Sequence, residues 1–243
     1  MRKNYTVAIC DILGFTRLVQ QNPLDQIVEK SLGWLRKSLH HSIHKLDFPS
    51  EVPSLKRLQG HPHLGLAWFS DTILIFTRED TDECLRSLLS SVGWLLFETM
   101  FTTDVRLRCG ISYGDSYIDP EESIYVGEPI IEAYQLEDAQ AWAGGSLTNS
   151  AVQRLPQSAR SGVFAEWFLV PFKVPLSDQT TMETLTINWT MGGHPSGSDI
   201  RWSRNKSTPS PEDWELNPRI CEKWQNTRNF HNSVCRFCKS HQA

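Results

Sequence analysis

The sequence predicts an α+β domain in which one mixed β-sheet has helices packed on a face. Three observations predict it. The 40% hydrophobic content is that of a globular chain, the apolar periodicity alternates in the order strand, helix, two strands, helix, strand, helix, and a late strand pair follows. With 243 residues the chain has room for one domain and an extension, set here at residues 1–190 and 191–243.

The elements follow in order. Tyr5 to Leu13 is rich in strand formers and ends at Gly14. From Pro23 to Leu46 the residues Leu24, Ile27, Val28, Leu32, Leu35, Leu39 and Ile43 recur at helical spacing. Leu64 to Phe69 and Thr72 to Thr77 flank Ser70-Asp71, which reads as a hairpin with an acid at its bend. A helix from about Asp80 to Met100 opens with carboxylates suited to its positive end, and Val105 to Ser112 is a strand. Glu128 to Ala141 reads as a helix stopped by Gly144-Gly145, and Leu147 to Arg154 fits a second, short one. Val163 to Val174 and Glu183 to Met191 read as two strands. Gly192 to Pro211 is rich in Gly, Ser and Pro and reads as a linker, and Trp214 to His231 has the pattern of a last amphipathic helix.

Charge excludes some functions. There are 24 Lys and Arg against 28 Asp and Glu, a net charge of −4, so no basic surplus exists to neutralise a nucleic-acid backbone or an anionic membrane. No apolar run reaches the length of a membrane span, and the apolar stretch from Val7 is broken by Asp11 without a small-residue cleavage signature. Six cysteines spread through a chain able to bury its own core read as reduced thiols, which points to a cytoplasmic protein.

Three segments carry chemistry. Asp11 ends an apolar strand, where an ionised carboxylate is costly unless a cation or donors compensate it. Gly14 lets the chain turn so that backbone N–H groups from Ile12 to Thr16 can face one anion. Alone, Asp11 reads equally as a turn cap. Asp71 at the hairpin bend can come beside Asp11 if their strands are neighbours. Two carboxylates with few other ligands suit Mg²⁺ or Mn²⁺, which keep positions open for phosphate oxygens. Two ions so held could activate a hydroxyl nucleophile and stabilise a pyrophosphate leaving group. The third segment runs from Arg108 through Gly110, Ile111 and Gly114 to Gly127.

In their order and spacing, Asp11 to Thr16, Asp71, Arg108-x-Gly110-Ile111-x-x-Gly114 and the helix after Gly127 resemble a class III nucleotidyl cyclase catalytic domain over about residues 4–155. The resemblance implies a ferredoxin-like core and a head-to-tail homodimer with active sites at the interface. It implies two divalent ions held by Asp11, Asp71 and the Ile12 carbonyl, with Asp11 and Asp71 as the catalytic residues. Gly14, Phe15, Thr16 and Arg108 are the implied nucleotide contacts, and the reaction is attack of a ribose 3′-hydroxyl on the α-phosphate.

The purine pattern of that class is not carried. Its base-reading Lys and Asp fall here on Ala67 and Ile124, and its helix Asn and Arg fall on Ile131 and Gln135. Phe69 to Ile73, the stretch Gly127 to Tyr134 with Leu136, Glu137 and Trp142, and Ile187-Asn188-Trp189 are instead similar to the pyrimidine cyclases of bacterial Pycsar antiphage systems, up to about residue 190. That similarity implies conversion of UTP to cyclic UMP, with CTP second, as a messenger for a partner effector. The alternatives are a purine cyclase with an unusual pocket and a cyclase-like nucleotide-binding module without turnover.

Phosphoryl transfer also needs a cationic side chain, and Arg57, Arg106 and Arg108 are the candidates. In the tail, His231, Cys235, Cys238 and His241 are zinc-ligand types, yet their close spacing leaves a cramped loop, so the tail reads as packed or unstructured. His61 and His63 read as loop histidines facing water, and Trp34 and Trp94 as core or dimer surface.

Overall fold

The structure is a computed structural model that describes residues 2–44, 49–54, 56, 59–101, 105–156, 168–192 and 218–240. Strand β1 (Arg2–Ile12) leads through a short helix α1 (Phe15–Gln21) into α2 (Leu24–Gln26), a π-helical segment (Ile27–Leu32) and α3 (Gly33–His44). The hairpin β2 (Leu64–Phe69) and β3 (Thr72–Thr77) precedes α4 (Asp82–Phe101) and β4 (Leu107–Asp119). Next come β5 (Ile124–Gly127), α5 (Glu128–Ala139), β6 (Gly144–Leu147) and α6 (Asn149–Arg154). The strands β7 (Leu169–Pro175) and β8 (Thr181–Ile187), a 3₁₀ turn (Trp189–Gly192) and α7 (Pro218–Ser240) complete the described chain.

The sheet runs β2-β3-β1-β4-β6-β8-β7, with β5 pairing the far half of β4. Its first part is an antiparallel βαββαβ unit with β3 and β1 at its centre, the ferredoxin-like order. β6 adds parallel to β4, which makes the sheet mixed. The α+β architecture expected from the sequence is therefore the one observed.

Alternation along β1 divides the core in two. Ala8, Cys10 and Ile12 face Leu35 and Leu39 of α3 and Leu88, Leu89 and Val92 of α4. Tyr5, Val7 and Ile9 face the other way, with Leu74, Phe76 and Ala133 of α5. Cys10 and Cys109 stand opposite each other on β1 and β4, fully buried, with their sulfurs 3.1 Å apart. On the second face α5 lies very close to β4. A Cβ placed on Gly110 would come within 2.0 Å of the Ala133 carbonyl oxygen, so glycine is what lets helix and strand approach.

Several elements depart from expectation. Helix α1 buries none of its residues, so no apolar stripe announces it. Leu24 and Val28 sit at core spacing in the sequence but are exposed; Val28 lies in the π-helical segment, whose wider turn breaks the 3.6-residue spacing of the stripe. The helix expected to run to Ala141 ends at Ala139, and Gly144-Gly145 open strand β6. The cause is Gln140, whose extended backbone takes the chain off the helix. Its buried amide donates to the Cys109 carbonyl (3.0 Å) and accepts from Trp142 Nε1 (2.9 Å) and Ser146 Oγ (2.6 Å). Strand β4 runs on to Asp119, past the predicted Ser112, and β8 stops at Ile187 with Trp189 in a 3₁₀ turn. Residues 163–167 and the linker 193–217 lie outside the described residues.

His61 and His63 do not simply face water. Their rings continue a row that starts at His40 and His44, with centroid spacings of 4.7, 5.6 and 5.6 Å. Trp34 lies largely on the surface and Trp94 is half-buried against His41 and Phe97. The last helix spans Pro218–Ser240, longer at its end than predicted, with Phe230 in an aromatic cluster with Trp142, Phe172 and Trp189. His231 stacks on Trp189, while the side chains of Cys235 and Cys238, and all of His241, lie outside the described residues. No described helix is long and apolar enough to cross a membrane.

Candidate active site

The chemistry-bearing residues gather at one edge of the sheet, where β1 ends and β3, β4 and β6 begin. Asp11 pairs in register with Thr72 of β3 on one side and with Arg108 of β4 on the other. Asp71 is the residue before Thr72, in the hairpin turn after Ser70, whose φ of 55° reverses the chain. The Trp68 indole N–H donates to the Ser70 carbonyl (2.8 Å) and pins this bend. The two acids singled out from the sequence are therefore neighbours across β1 and β3.

They also act on each other. Burial pushes the Asp11 carboxyl up from 3.8 to about 6, the Asp71 charge pushes further in the same direction, and Arg108 and the Ile12 N–H pull back. No side chain among the described residues donates a hydrogen bond to Asp11. After Asp11, the Leu13 N–H is taken by the Arg106 carbonyl (2.9 Å), and Gly14, at φ 77°, starts α1 with no side-chain cap. The expected row of free N–H groups from Ile12 to Thr16 is thus shorter by Ile12, which serves the Asp11 carboxyl, and by Leu13. Phe15 and Thr16 form the first turn of α1, where N–H groups have no partner within the helix.

Arg108 is buried, and its donors are in use. Its Nε donates to Glu137 Oε1 (2.5 Å), and Nη1 donates to the carbonyls of Asp138 (3.0 Å) and Gln140 (3.0 Å) at the end of α5, where a cation is favoured. Asp138 Oδ1 lies 3.6 Å from its Nη2. Arg108 thus clamps α5 to the sheet and reaches Asp11 through its field. Arg106 is likewise engaged, donating to the carbonyls of Thr99 (2.5 Å) and Val105 (3.0 Å) and lying over the Trp224 ring. Arg57 lies outside the described residues.

Glu137 is the site residue to which sequence reasoning gave no role. It is buried, and desolvation raises its carboxyl to about 7, opposed by Arg108 and reinforced by the Asp11 charge. Its signal was the spacing Ala133 and Glu137, which puts a carboxylate on the buried stripe of α5. The row Asp11, Arg108, Glu137 alternates in sign, and each member needs its neighbour.

No group of three or more His, Cys, Asp or Glu side chains among the described residues is arranged to hold a metal ion. Two carboxylates and a backbone carbonyl suit instead a hard divalent cation that completes its shell with water and phosphate oxygens. The uncompensated, raised Asp11 beside Asp71 fits such an ion, because a cation would relieve both its burial and its repulsion.

No protein-family model matches the sequence, and no curated protein matches it. Three solved structures share a similar chain course. The catalytic core of a rhodopsin-guanylyl cyclase with converted specificity, in complex with ATPalphaS, has 13% identity and a TM-score of 0.49, covering 76% of this chain and 97% of that one. The guanylyl cyclase Cya2 has 12% identity and a TM-score of 0.44, covering 77% and 91%. An adenylate/guanylate cyclase/hydrolase from Silicibacter pomeroyi has 13% identity and a TM-score of 0.46, covering 76% and 96%.

Proposed function

We propose that the chain is a metal-dependent nucleotide cyclase that converts UTP to 3′,5′-cyclic UMP and pyrophosphate. The observation that carries this reading is Asp11 near the end of β1 beside Asp71 in the turn that opens the adjacent β3, with Asp11 raised and without a side-chain donor among the described residues. Asp11, Asp71 and the Ile12 carbonyl would hold two Mn²⁺ or Mg²⁺ ions. When bound, these ions supply a lowered pKa at the ribose hydroxyl and charge neutralisation at the phosphates.

The chain's own residues do the rest. The turn at Gly14 and the first N–H groups of α1, from Phe15 and Thr16, face the phosphates, and Arg108 fixes the spacing between α5 and Asp11. The O3′–Pα bond forms as the Pα–O bond to the β-phosphate breaks, pyrophosphate leaves with that electron pair, and the hydroxyl proton passes to water. The absence of the purine-reading residues supports a pyrimidine substrate, since Ala67 and Ile124 offer apolar side chains where Lys and Asp would read a purine.

A second copy of the chain completes the site in this reading. Val126, Ile131 and Tyr134 are 63%, 57% and 55% exposed on β5 and α5, an apolar set that a partner would cover. The product would act on an effector in antiphage defence of the Pycsar kind.

The test is incubation of the purified chain with each of the four ribonucleoside triphosphates in Mn²⁺, with products identified by mass. Cyclic UMP with pyrophosphate, abolished by Asp71→Asn, is the expected result. Turnover of purines alone overturns the pyrimidine reading, and nucleotide binding without pyrophosphate release overturns catalysis.

A further inference from the structure

The cationic side chains that sequence reasoning offered to the site are committed elsewhere or lie outside the described residues, and the helix α7 brings another. Its residues Lys223, Asn226, Thr227, Phe230 and Val234 fall at helical spacing on one side. That side is docked. The Asn226 amide donates to the Ala141 carbonyl (2.9 Å), and Thr227 Oγ1 accepts from the Ala143 N–H (2.8 Å). Phe230 and Val234 are buried in the core, and Trp224 lies under the Arg106 guanidinium at 5.5 Å.

These contacts locate the first turns of α7. Ala141 and Ala143 precede Gly144, which pairs in register with Arg108, and the Arg106 carbonyl accepts from Leu13, two residues after Asp11. Lys223 is one turn before Thr227 on the same side, so it lies at the site edge. Its surroundings agree with this place: burial first, then Arg108, lowers its pKa, and the Glu137, Asp138 and Asp11 charges pull it back. Lys223 is half-buried, yet among the described residues its ammonium has no hydrogen-bond or ion-pair partner. Glu137 and Asp138 are already engaged with Arg108.

A half-buried ammonium without a partner, held by a docked helix beside carboxylates of the site, suits a polyanion that arrives and leaves. We propose that Lys223 is a phosphate-binding residue of the active site, presented by the docked side of α7 to the triphosphate of the nucleotide. The inference rests on the cyclase reading and deepens it by assigning the cation that phosphoryl transfer needs. It also makes α7 part of the working site, although it lies beyond the region that resembles a cyclase.

The experiment titrates inorganic tripolyphosphate with Mn²⁺ into the full chain by calorimetry, using wild type, Lys223→Met and Lys223→Arg, with KM and kcat for UTP measured alongside. Methionine keeps the length of the apolar stem, and the melting temperature of each variant checks the fold. The expected result is at least tenfold weaker tripolyphosphate binding for Lys223→Met, with most of the affinity restored by Lys223→Arg. Equal binding by wild type and a folded Lys223→Met overturns the proposal, as does a wild type that does not bind tripolyphosphate. If Lys223→Met does not fold, Lys223→Gln is titrated in its place under the same criteria. Failure to turn over any of the four ribonucleoside triphosphates in a wild type that binds tripolyphosphate through Lys223 overturns the cyclase reading and leaves the phosphate site standing.

Discussion

Asp11 and Arg108 stand opposite each other in the β1–β4 ladder, yet the Arg108 guanidinium donates to Glu137 and to the end of α5. The carboxylate that most needs a positive partner is therefore left with only part of one. This arrangement costs the fold stability, and in the proposed reading a bound cation would relieve that cost.

Replacing Asp11 by Asn should raise stability while abolishing turnover. A carboxyl raised from 3.8 to about 6 holds its proton more tightly when folded. Its stabilising contribution is full below pH 3.8 and is lost as pH rises through about 6. At pH 7.5 without metal, Asn removes the remaining cost, worth about 1–2 kcal/mol after discounting for solvent at this partly exposed group. The melting temperature in EDTA should rise by about 2–6 °C, and the gain should vanish near pH 4. An unchanged or lower melting temperature at pH 7.5 would contradict the account.

Arg108→Met should destabilise the fold by about 3–5 kcal/mol, because it leaves the buried Glu137 carboxylate unpaired. Combining it with Glu137→Leu should recover most of that loss. Urea titration of the two variants reads this directly, and a double variant no better than the single would show that the pair is not the coupling.

Gly110→Ala should cost about 1–3 kcal/mol, since the new methyl would lie 2.0 Å from the Ala133 oxygen and force α5 away from β4. The same displacement moves Glu137 and Asp138 off Arg108. Turnover should therefore fall more than the unfolded fraction explains, as measured by specific activity well below the melting temperature.

Introducing charge on the exposed apolar set of β5 and α5, with Ile131→Asp and Tyr134→Asp together, should give a folded monomer without turnover. Sedimentation velocity on wild type and variant checks the association state. A wild type that sediments as a monomer at micromolar concentration while turning over UTP removes the second copy from the site.

The site was legible where chemistry overrode the local pattern. Asp11 interrupts an apolar strand and Asp71 occupies a bend, and together they could be singled out as candidates because a carboxylate is out of place in each pattern. The role of Arg108 could not, because its partners are carbonyls at the end of α5, and where that helix ends depends on the buried hydrogen bonds of Gln140. Lys223 was hidden for a different reason. A lysine in a helical stripe with Thr227, Phe230 and Val234 looks like a solvated edge of an amphipathic helix until the docking of that helix is known. The succession of the main strands and helices was readable because their apolar runs are long, whereas α1 and β5 bury little and left no periodic trace.

The paired thiols of Cys10 and Cys109 give the molecule an internal gauge. They sit face to face where β1 ends and β4 begins, one residue from Asp11 and Arg108, and are shut away from water. A thiol reagent can meet them only after the helices covering this face lift or the strands part, so their labelling rate reports how often the core beside Asp11 opens, and an ion or nucleotide bound by the folded site would slow it.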